Sequence, residues 1–106
     1  MTSLLDHIPV ETIENLPGIR CPISGRIMND PVVVAGTGVS YERDVVAFYL
    51  DVYGSDPATG LPLSEGGRRL IQNTMLRNLI DDVVRSIRRR KGDAYNWDHV
   101  VDDDEE

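Results

Sequence analysis

The feature that most restricts the fold of this chain is its shortage of residues that can hold a cross-link. The sequence of 106 residues contains one cysteine, Cys21, and two histidines, His7 and His99. One cysteine cannot form an internal disulfide, and a structural zinc site needs four ligands, mostly Cys and His. Yet Cys21 opens the stretch CPISGRIMNDPV, residues 21–32, in the way that many zinc-binding loops open. We therefore expect no metal and no other cofactor, so this loop has to be held by other means.

The net charge of −7 is concentrated at the C-terminal end. Residues 93–106 hold seven acidic residues and no Lys or Arg, which leaves eleven acidic and eleven basic residues in the other 92. A neutral body argues against a nucleic-acid partner, which would require a basic face. No apolar run approaches the roughly 20 residues that span a bilayer, and the N-terminus lacks the basic and apolar regions of a signal peptide. We expect no membrane partner and an intracellular location, in the cytoplasm, the nucleus or both.

The first half of the chain predicts a β-hairpin followed by a helix. Pro31–Val34 is typical of a short strand, residues 35–38 of a turn, and residues 39–41 of a returning strand. Residues 42–53 place apolar side chains on one helical face, and Gly54 is a suitable residue to end that helix.

The second half predicts a very short strand and a longer helix. Leu70 and Ile71 form the predicted strand, and Asn73 or Thr74 caps a helix that Gly92 ends. The basic run at residues 88–91 has two interpretations: a nuclear-localisation or phosphate-binding patch, or cations gathered at a helix C-terminus, where the dipole favours them. We prefer the second. The fold class is therefore α+β, with loops that are long for its size.

These patterns divide the chain into three parts. Residues 1–18 form an N-terminal lead-in segment, residues 19–90 the domain, and residues 91–106 an acidic tail that we expect to be disordered. A domain of roughly 70–80 residues has a marginal core and usually needs a disulfide, a metal or a partner. With the first two excluded, polar networks within the loops and association into a homodimer remain.

Four pieces of the sequence resemble the U-box domain, the zinc-free relative of the RING finger. They are CPISGRIMNDPVV, GVSYERDVVAFYL, GSDPATGLPLS and IQNTMLRNLIDDVV, in the U-box order and at U-box spacing. The resemblance implies a small RING-like fold: a β-hairpin, a central helix, a short third strand, a C-terminal helix and two long loops. In the family, side-chain hydrogen bonds and ion pairs hold the loops where RING fingers use zinc. The matching polar residues here are Ser24, Asp30, Arg43, Asp56, Thr59 and Asn73.

The resemblance also implies a function, that of a ubiquitin ligase. U-box proteins bind a ubiquitin-charged conjugating enzyme and promote transfer of ubiquitin to a lysine of a protein substrate, with no covalent intermediate on the ligase. Ile23, Tyr49, Pro57 and Pro62 match the positions that contact the conjugating enzyme. Core packing is the alternative role for Ile23 and Tyr49, and loop rigidity is the alternative for the two prolines.

Catalytic side chains are not expected, because such a ligase works by proximity and orientation. Cys21 as a nucleophile is the competing hypothesis, but it needs a nearby base and the sequence places no His near it. Many U-boxes carry an Arg that bridges conjugating enzyme and ubiquitin, and here Gly60 stands in its place. Arg68 or Arg69 is a candidate substitute. Gly60 also keeps open a second function, a module that binds a conjugating enzyme or scaffolds a complex without promoting transfer.

Overall fold

The computed structural model describes residues 4–92. Its helices and strands, in chain order, are α1 (Val10–Ile13), β1 (Pro31–Val34), β2 (Ser40–Glu42), α2 (Arg43–Tyr53), β3 (Leu70–Gln72) and α3 (Thr74–Lys91), with short 3-10 helices at Leu4–His7 and Gly66–Arg68. This confirms the predicted α+β class. Of the tail predicted at residues 91–106, Lys91 is the last residue of α3 and Gly92 ends that helix; residues 93–106 lie outside the described residues.

The three strands form one antiparallel sheet in the order β2-β1-β3. Val33 of the central strand pairs with Ser40 on one side and with Ile71 on the other. Pro31 lacks the N–H that a central strand needs, and it is tolerated because it is the first residue of β1. Its carbonyl accepts a hydrogen bond from the Asn73 N–H at 3.0 Å. Pro31 thus supplies no donor to the sheet, but its carbonyl still has a partner.

The ends of the two long helices follow their local chemistry. Gly54 adopts φ +64° and donates its N–H to the Leu50 carbonyl at 2.8 Å, which ends α2 in the left-handed turn that glycine favours. Asn73 caps α3 by accepting a hydrogen bond from the Leu76 N–H at 3.1 Å. Both predicted ends are confirmed.

The core draws on loops as much as on helices and strands. Ile19, Cys21 and Met28 precede β1 and are at most 1 % exposed. They join apolar side chains of the sheet and of both long helices. Within residues 4–92 the buried apolar cluster is Ile13, Ile19, Cys21, Met28, Val32, Val34, Tyr41, Val46, Leu50, Ile80, Val83 and Ile87.

The segment of residues 4–16 packs against the C-terminal half of α3. Ile13 of this N-terminal segment is completely buried. Asp6 accepts hydrogen bonds from Ser86 Oγ at 2.6 Å and from Arg89 Nη2 at 2.8 Å. The Arg90 guanidinium donates to the carbonyls of Leu5 at 3.0 Å, Asp6 at 3.4 Å and Ile8, and to Ser86 Oγ at 3.2 Å.

These contacts change how the basic run is interpreted. Cations near a helix C-terminus do complement the dipole, but Arg89 and Arg90 also bind the other end of the chain. The lead-in of the sequence prediction is thus packed on the domain over residues 4–16.

Candidate functional site

The first loop, residues 20–27, is a closed turn that presents an apolar side chain. A β-bridge joins Arg20 to Ile27 at its base. Inside it the Cys21 N–H donates to the Arg26 carbonyl at 2.9 Å, and the Gly25 N–H donates to the Cys21 carbonyl at 2.8 Å. Ile23 lies between these bonds and is 40 % exposed. Its side chain therefore faces solvent, which argues against the alternative role in core packing.

Cys21 is the buried anchor of this loop. Its side chain is 1 % exposed and forms part of the core. A buried thiol in apolar surroundings is chemically inert. This environment favours the anchoring role over the nucleophile hypothesis.

The second loop, residues 55–62, folds around one buried carboxylate. Asp56 is 6 % exposed; it accepts hydrogen bonds from Thr59 Oγ1 at 2.7 Å and from the Ala58 N–H at 3.2 Å. A β-bridge between Ser55 and Pro62 closes the loop. Pro62 is exposed and Pro57, which follows the buried Asp56, is partly buried.

Tyr41 of β2 is an aromatic residue of the buried core. This ring is 1 % exposed, and burial is the main reason that the pKa of the Tyr41 hydroxyl is raised. Smaller contributions to its pKa come from Asp56, Cys21 and Tyr49. The sequence prediction missed Tyr41, although a bulky aromatic residue on a short strand beside a turn is a recognisable core signal.

The outer face of α2 carries aromatic and apolar side chains. Tyr49 is partly buried and its ring lies 4.6 Å from that of Tyr53, centroid to centroid. Phe48 and Val52 are 71 % and 53 % exposed and stand one turn apart. Leu61, in the second loop, is 64 % exposed. A group of exposed apolar side chains of this kind suits a contact with another protein. Phe48, Val52 and Leu61 were not among the predicted contact residues.

The polar residues predicted to hold the loops lie in separate small groups. The Arg43 side chain donates to Asp30 at 2.7 Å and joins the start of α2 to the segment before β1. Asn73 donates its side-chain N–H to Ser40 at 3.1 Å and joins α3 to β2. The pair of Asp56 and Thr59 stays within the second loop.

Ser24 and Glu42 complete these groups. Ser24 accepts only a local bond, from the Arg26 N–H at 3.3 Å. The Glu42 carboxylate accepts from the N–H groups of Asn29 at 2.7 Å and Asp30 at 3.0 Å, and so fixes the chain that leaves the first loop. Sequence reasoning missed Glu42, because it counted this residue as the first of the helix over residues 42–53. In the structure Glu42 is the last residue of β2, α2 begins at Arg43, and the Glu42 side chain makes no hydrogen bond to the helix.

Gly60 adopts φ +77°, and a Cβ built on it would meet no atom within 4 Å. The position therefore has room for a side chain but a backbone that disfavours one. Arg68, a candidate substitute for the missing Arg, donates Nε to the Leu63 carbonyl at 3.0 Å and lies against Gly54. Arg69 is exposed.

Residues 4–92 contain no group of three or more His, Cys, Asp and Glu side chains arranged to hold a metal ion. Within the same range no helix is both long and apolar enough to cross a membrane.

The fold and the site define a small α+β domain in which two hydrogen-bonded loops flank a central helix. The family model of the U-box domain matches residues 17–88, so the chain belongs to the U-box family. The chain is 40 % identical over 72 residues to the E3 ubiquitin-protein ligase PUB23 of Arabidopsis thaliana, covering 66 % of this chain and 17 % of that protein.

Two further relatives are similar over shorter spans. U-box domain-containing protein 16 of Arabidopsis thaliana is 40 % identical over 68 residues, 62 % of this chain and 10 % of the relative. Pre-mRNA-processing factor 19 of Dictyostelium discoideum is 42 % identical over 43 residues, 41 % of this chain and 8 % of the relative. The chain thus spans less than a fifth of the length of these curated relatives.

Proposed function

We propose that this protein is a ubiquitin-protein ligase. Its U-box binds a ubiquitin-charged conjugating enzyme and promotes transfer of ubiquitin to a lysine of a protein substrate, without a covalent intermediate on the ligase. Membership of the U-box family and the likeness to a relative named as a ligase support the proposal.

One observation carries the proposal furthest: Ile23 is an apolar side chain held out to solvent by a loop whose base is buried. A loop fixed by hydrogen bonds and by Cys21 keeps Ile23 exposed at little entropic cost on binding. The proposed contact surface combines it with Tyr49 of α2 and with Pro57 and Pro62 of the second loop. Such a surface suits a weak, transient complex, in which a few residues carry the binding energy.

The proposed contribution to the reaction is orientation. A ubiquitin thioester on the conjugating enzyme already contains the reacting bond, so the ligase needs only to bring enzyme and substrate lysine together in a productive arrangement. The burial of Cys21 fits this role, because a ligase thioester would need an accessible thiol.

The test is autoubiquitination across a panel of conjugating enzymes, with an Ile23→Arg variant beside the parent. We expect ubiquitin adducts on the parent with at least one enzyme, and none on the folded variant. Adducts that vanish under reducing conditions would indicate a ligase thioester and contradict the mechanism.

Gly60 favours a second candidate function, a module that binds a conjugating enzyme or scaffolds a complex without promoting transfer. A glycine supplies no side chain to bridge conjugating enzyme and ubiquitin. Binding of a conjugating enzyme in a pull-down, combined with no transfer by any member of the panel, would favour this function over the first.

Two further proposals concern the setting of the protein. The lone buried cysteine and the charge pattern support an intracellular location, cytoplasmic or nuclear, which imaging of a tagged chain would test.

A homodimer is also proposed, because Met75 and Leu79 are 84 % and 43 % exposed beside an apolar cavity of about 450 Å³. Sedimentation equilibrium would distinguish this dimer from a monomer.

A further inference from the structure

The side chain of Arg20 joins the N-terminal segment to the first loop. Its Nε donates to the Glu14 carbonyl at 3.1 Å, and its Nη1 donates to the Gly25 carbonyl at 2.9 Å. Arg20 itself stands at the base of the first loop, where it pairs with Ile27 in a β-bridge. One planar guanidinium group therefore connects the end of α1 to the turn that carries Ile23.

The Gly25 carbonyl is a sensitive point of the first loop. Gly25 adopts φ +75°, in the left-handed region, and glycine has more backbone freedom than any other residue. Its N–H is held within the turn by the Cys21 carbonyl at 2.8 Å, whereas its carbonyl is held by Arg20 from the base of the loop. Arg20 therefore restricts the residue of this loop that has the largest conformational freedom, two positions from Ile23.

The Glu14 carbonyl holds the same guanidinium group from the other side. Glu14 ends α1, and the last carbonyls of a helix have no donor within that helix. An arginine side chain loses rotamer freedom when it is ordered, and a second charge-assisted hydrogen bond offsets that loss. The position of Glu14 depends in turn on the docked N-terminal segment, in which Ile13 is completely buried and the Leu5 carbonyl is bound by Arg90.

From these contacts we infer that docking of the N-terminal segment is coupled to the rigidity of the first loop, with Arg20 as the positioning residue between them. While the segment is docked, both carbonyls hold Arg20 and the loop keeps one conformation. When the segment is released, Arg20 loses the Glu14 carbonyl, and its hydrogen bond to Gly25 opens more often.

The consequence of this coupling for binding rests on the proposed function. A looser loop presents Ile23 less favourably to a conjugating enzyme, because ordering the loop then takes up part of the binding free energy. Coupling between two sites is reciprocal, so a partner that orders the first loop also strengthens docking of the N-terminal segment. The coupling itself is a property of the fold and can be measured without any partner.

Hydrogen exchange of the Gly25 amide, followed by NMR at low urea concentrations, measures opening of the first loop. Exchange that does not depend on urea reports local opening, whereas exchange through global unfolding rises steeply with urea. Arg20→Lys keeps the charge but loses the planar fork that reaches two carbonyls. We expect it to speed the urea-independent exchange of Gly25 about tenfold, which corresponds to about 1.4 kcal/mol. The Gly54 amide, bonded to the Leu50 carbonyl at the end of α2, should exchange as in the parent.

Arg77→Lys is the matched control for this measurement. It is the same substitution at an exposed residue of α3. We expect both amides, Gly25 and Gly54, to exchange as in the parent.

A double-mutant cycle between Arg20 and Arg90 is the decisive comparison, because it tests the route of the coupling. Arg90→Ala releases the N-terminal segment and should also speed the local exchange of Gly25 about tenfold. In the Arg20→Lys background it should add less than about twofold, since the connection through which it acts is already broken. Asp6→Asn weakens the same docking more mildly, at the acceptor of Ser86 and Arg89, and replaces Arg90→Ala if that variant does not fold.

Two results would overturn the inference: Gly25 exchange at the parent's rate in the folded Arg20→Lys variant, or effects of the two substitutions that simply multiply in the double variant. Titration calorimetry with a conjugating enzyme separates this inference from the proposed function. Exchange rates as expected support the coupling even if the parent binds no conjugating enzyme, a result that counts against the ligase alone. Binding by the parent, combined with unchanged exchange in Arg20→Lys, refutes the coupling and leaves the proposed function standing.

Discussion

Replacing Arg90 by alanine should release the N-terminal segment, residues 4–16, and destabilise the whole domain. The guanidinium of Arg90 makes four hydrogen bonds, three of them to backbone carbonyls of that segment. A partly buried carbonyl that loses its charged donor is left unsatisfied, and this lowers the free energy of unfolding by more than the net value of the hydrogen bond.

The magnitude follows from two estimates that agree. Four hydrogen bonds at a net value of about 0.5–1.5 kcal/mol each suggest about 2–6 kcal/mol. Release of the segment would also expose Ile13, whose burial alone is worth about 1.5–3 kcal/mol, a value within the same range. We therefore expect the free energy of unfolding to fall by about 3 kcal/mol, and the melting temperature by about 12–24 °C for a domain of this size.

Urea titration and thermal melting measure this effect, and Lys91→Ala is the control. Lys91 is the next residue, carries the same charge and is exposed. Arg90→Lys separates charge from geometry, since lysine keeps the charge and loses the planar fork that reaches several carbonyls. If Arg90→Ala melts like Lys91→Ala, the hydrogen bonds of Arg90 do not hold the N-terminal segment to the domain.

The remaining predictions concern the loops. Ile23→Arg should weaken binding of a conjugating enzyme by about 2 kcal/mol or more, measured by titration calorimetry, whereas Ile71→Arg, at a similarly exposed residue of β3, should not. Cys21→Ser should lower the melting temperature, because it buries a hydroxyl at about 1–3 kcal/mol, yet leave ubiquitin transfer intact; a complete loss in the folded variant would speak against the anchoring role. Gly60→Arg should speed ubiquitin discharge to free lysine several-fold while lowering the free energy of unfolding by about 1–2 kcal/mol. Gly38→Arg is the control, because Gly38 has φ +75° and equally open space. It should lower the stability by the same amount without any gain in rate. A strong chelator should leave the thermal melt unchanged, and a sharp drop would point to a bound metal.

The local features of the fold could be predicted from sequence because each depends on a few neighbouring residues. Pro31–Val34 forms a strand as expected, and Gly54 ends α2 as expected. The returning strand is shifted by one residue, to Ser40–Glu42, since Glu42 pairs with Pro31 in the sheet. A sequence pattern of two or three residues indicates where a strand lies, but the strand's exact bounds depend on its pairing with the neighbouring strand.

The long-range polar contacts could not be predicted, because the sequence does not show which partners meet. Asp6 and Arg89 are 83 positions apart, and nothing in either neighbourhood names the other. Glu42 is ambiguous in the same way: its carboxylate suits a helix N-terminus but binds the chain at Asn29 and Asp30. The predicted polar residues are accordingly found in several small groups, and their pairings required coordinates.

The clamp formed by Arg90 brings the beginning and the end of the described chain to one place on the surface. The Leu5 carbonyl and Arg90 Nη2 are 3.0 Å apart although 85 positions separate them. Domains whose ends meet tolerate insertion into a loop of a host protein and re-cutting as circular permutants. A short linker across this clamp, with new ends opened at the hairpin turn of residues 35–38, should therefore give a chain that folds to the same sheet. Grafted into a host loop through the same two ends, the domain would carry its first loop and Ile23 to a site chosen by the designer.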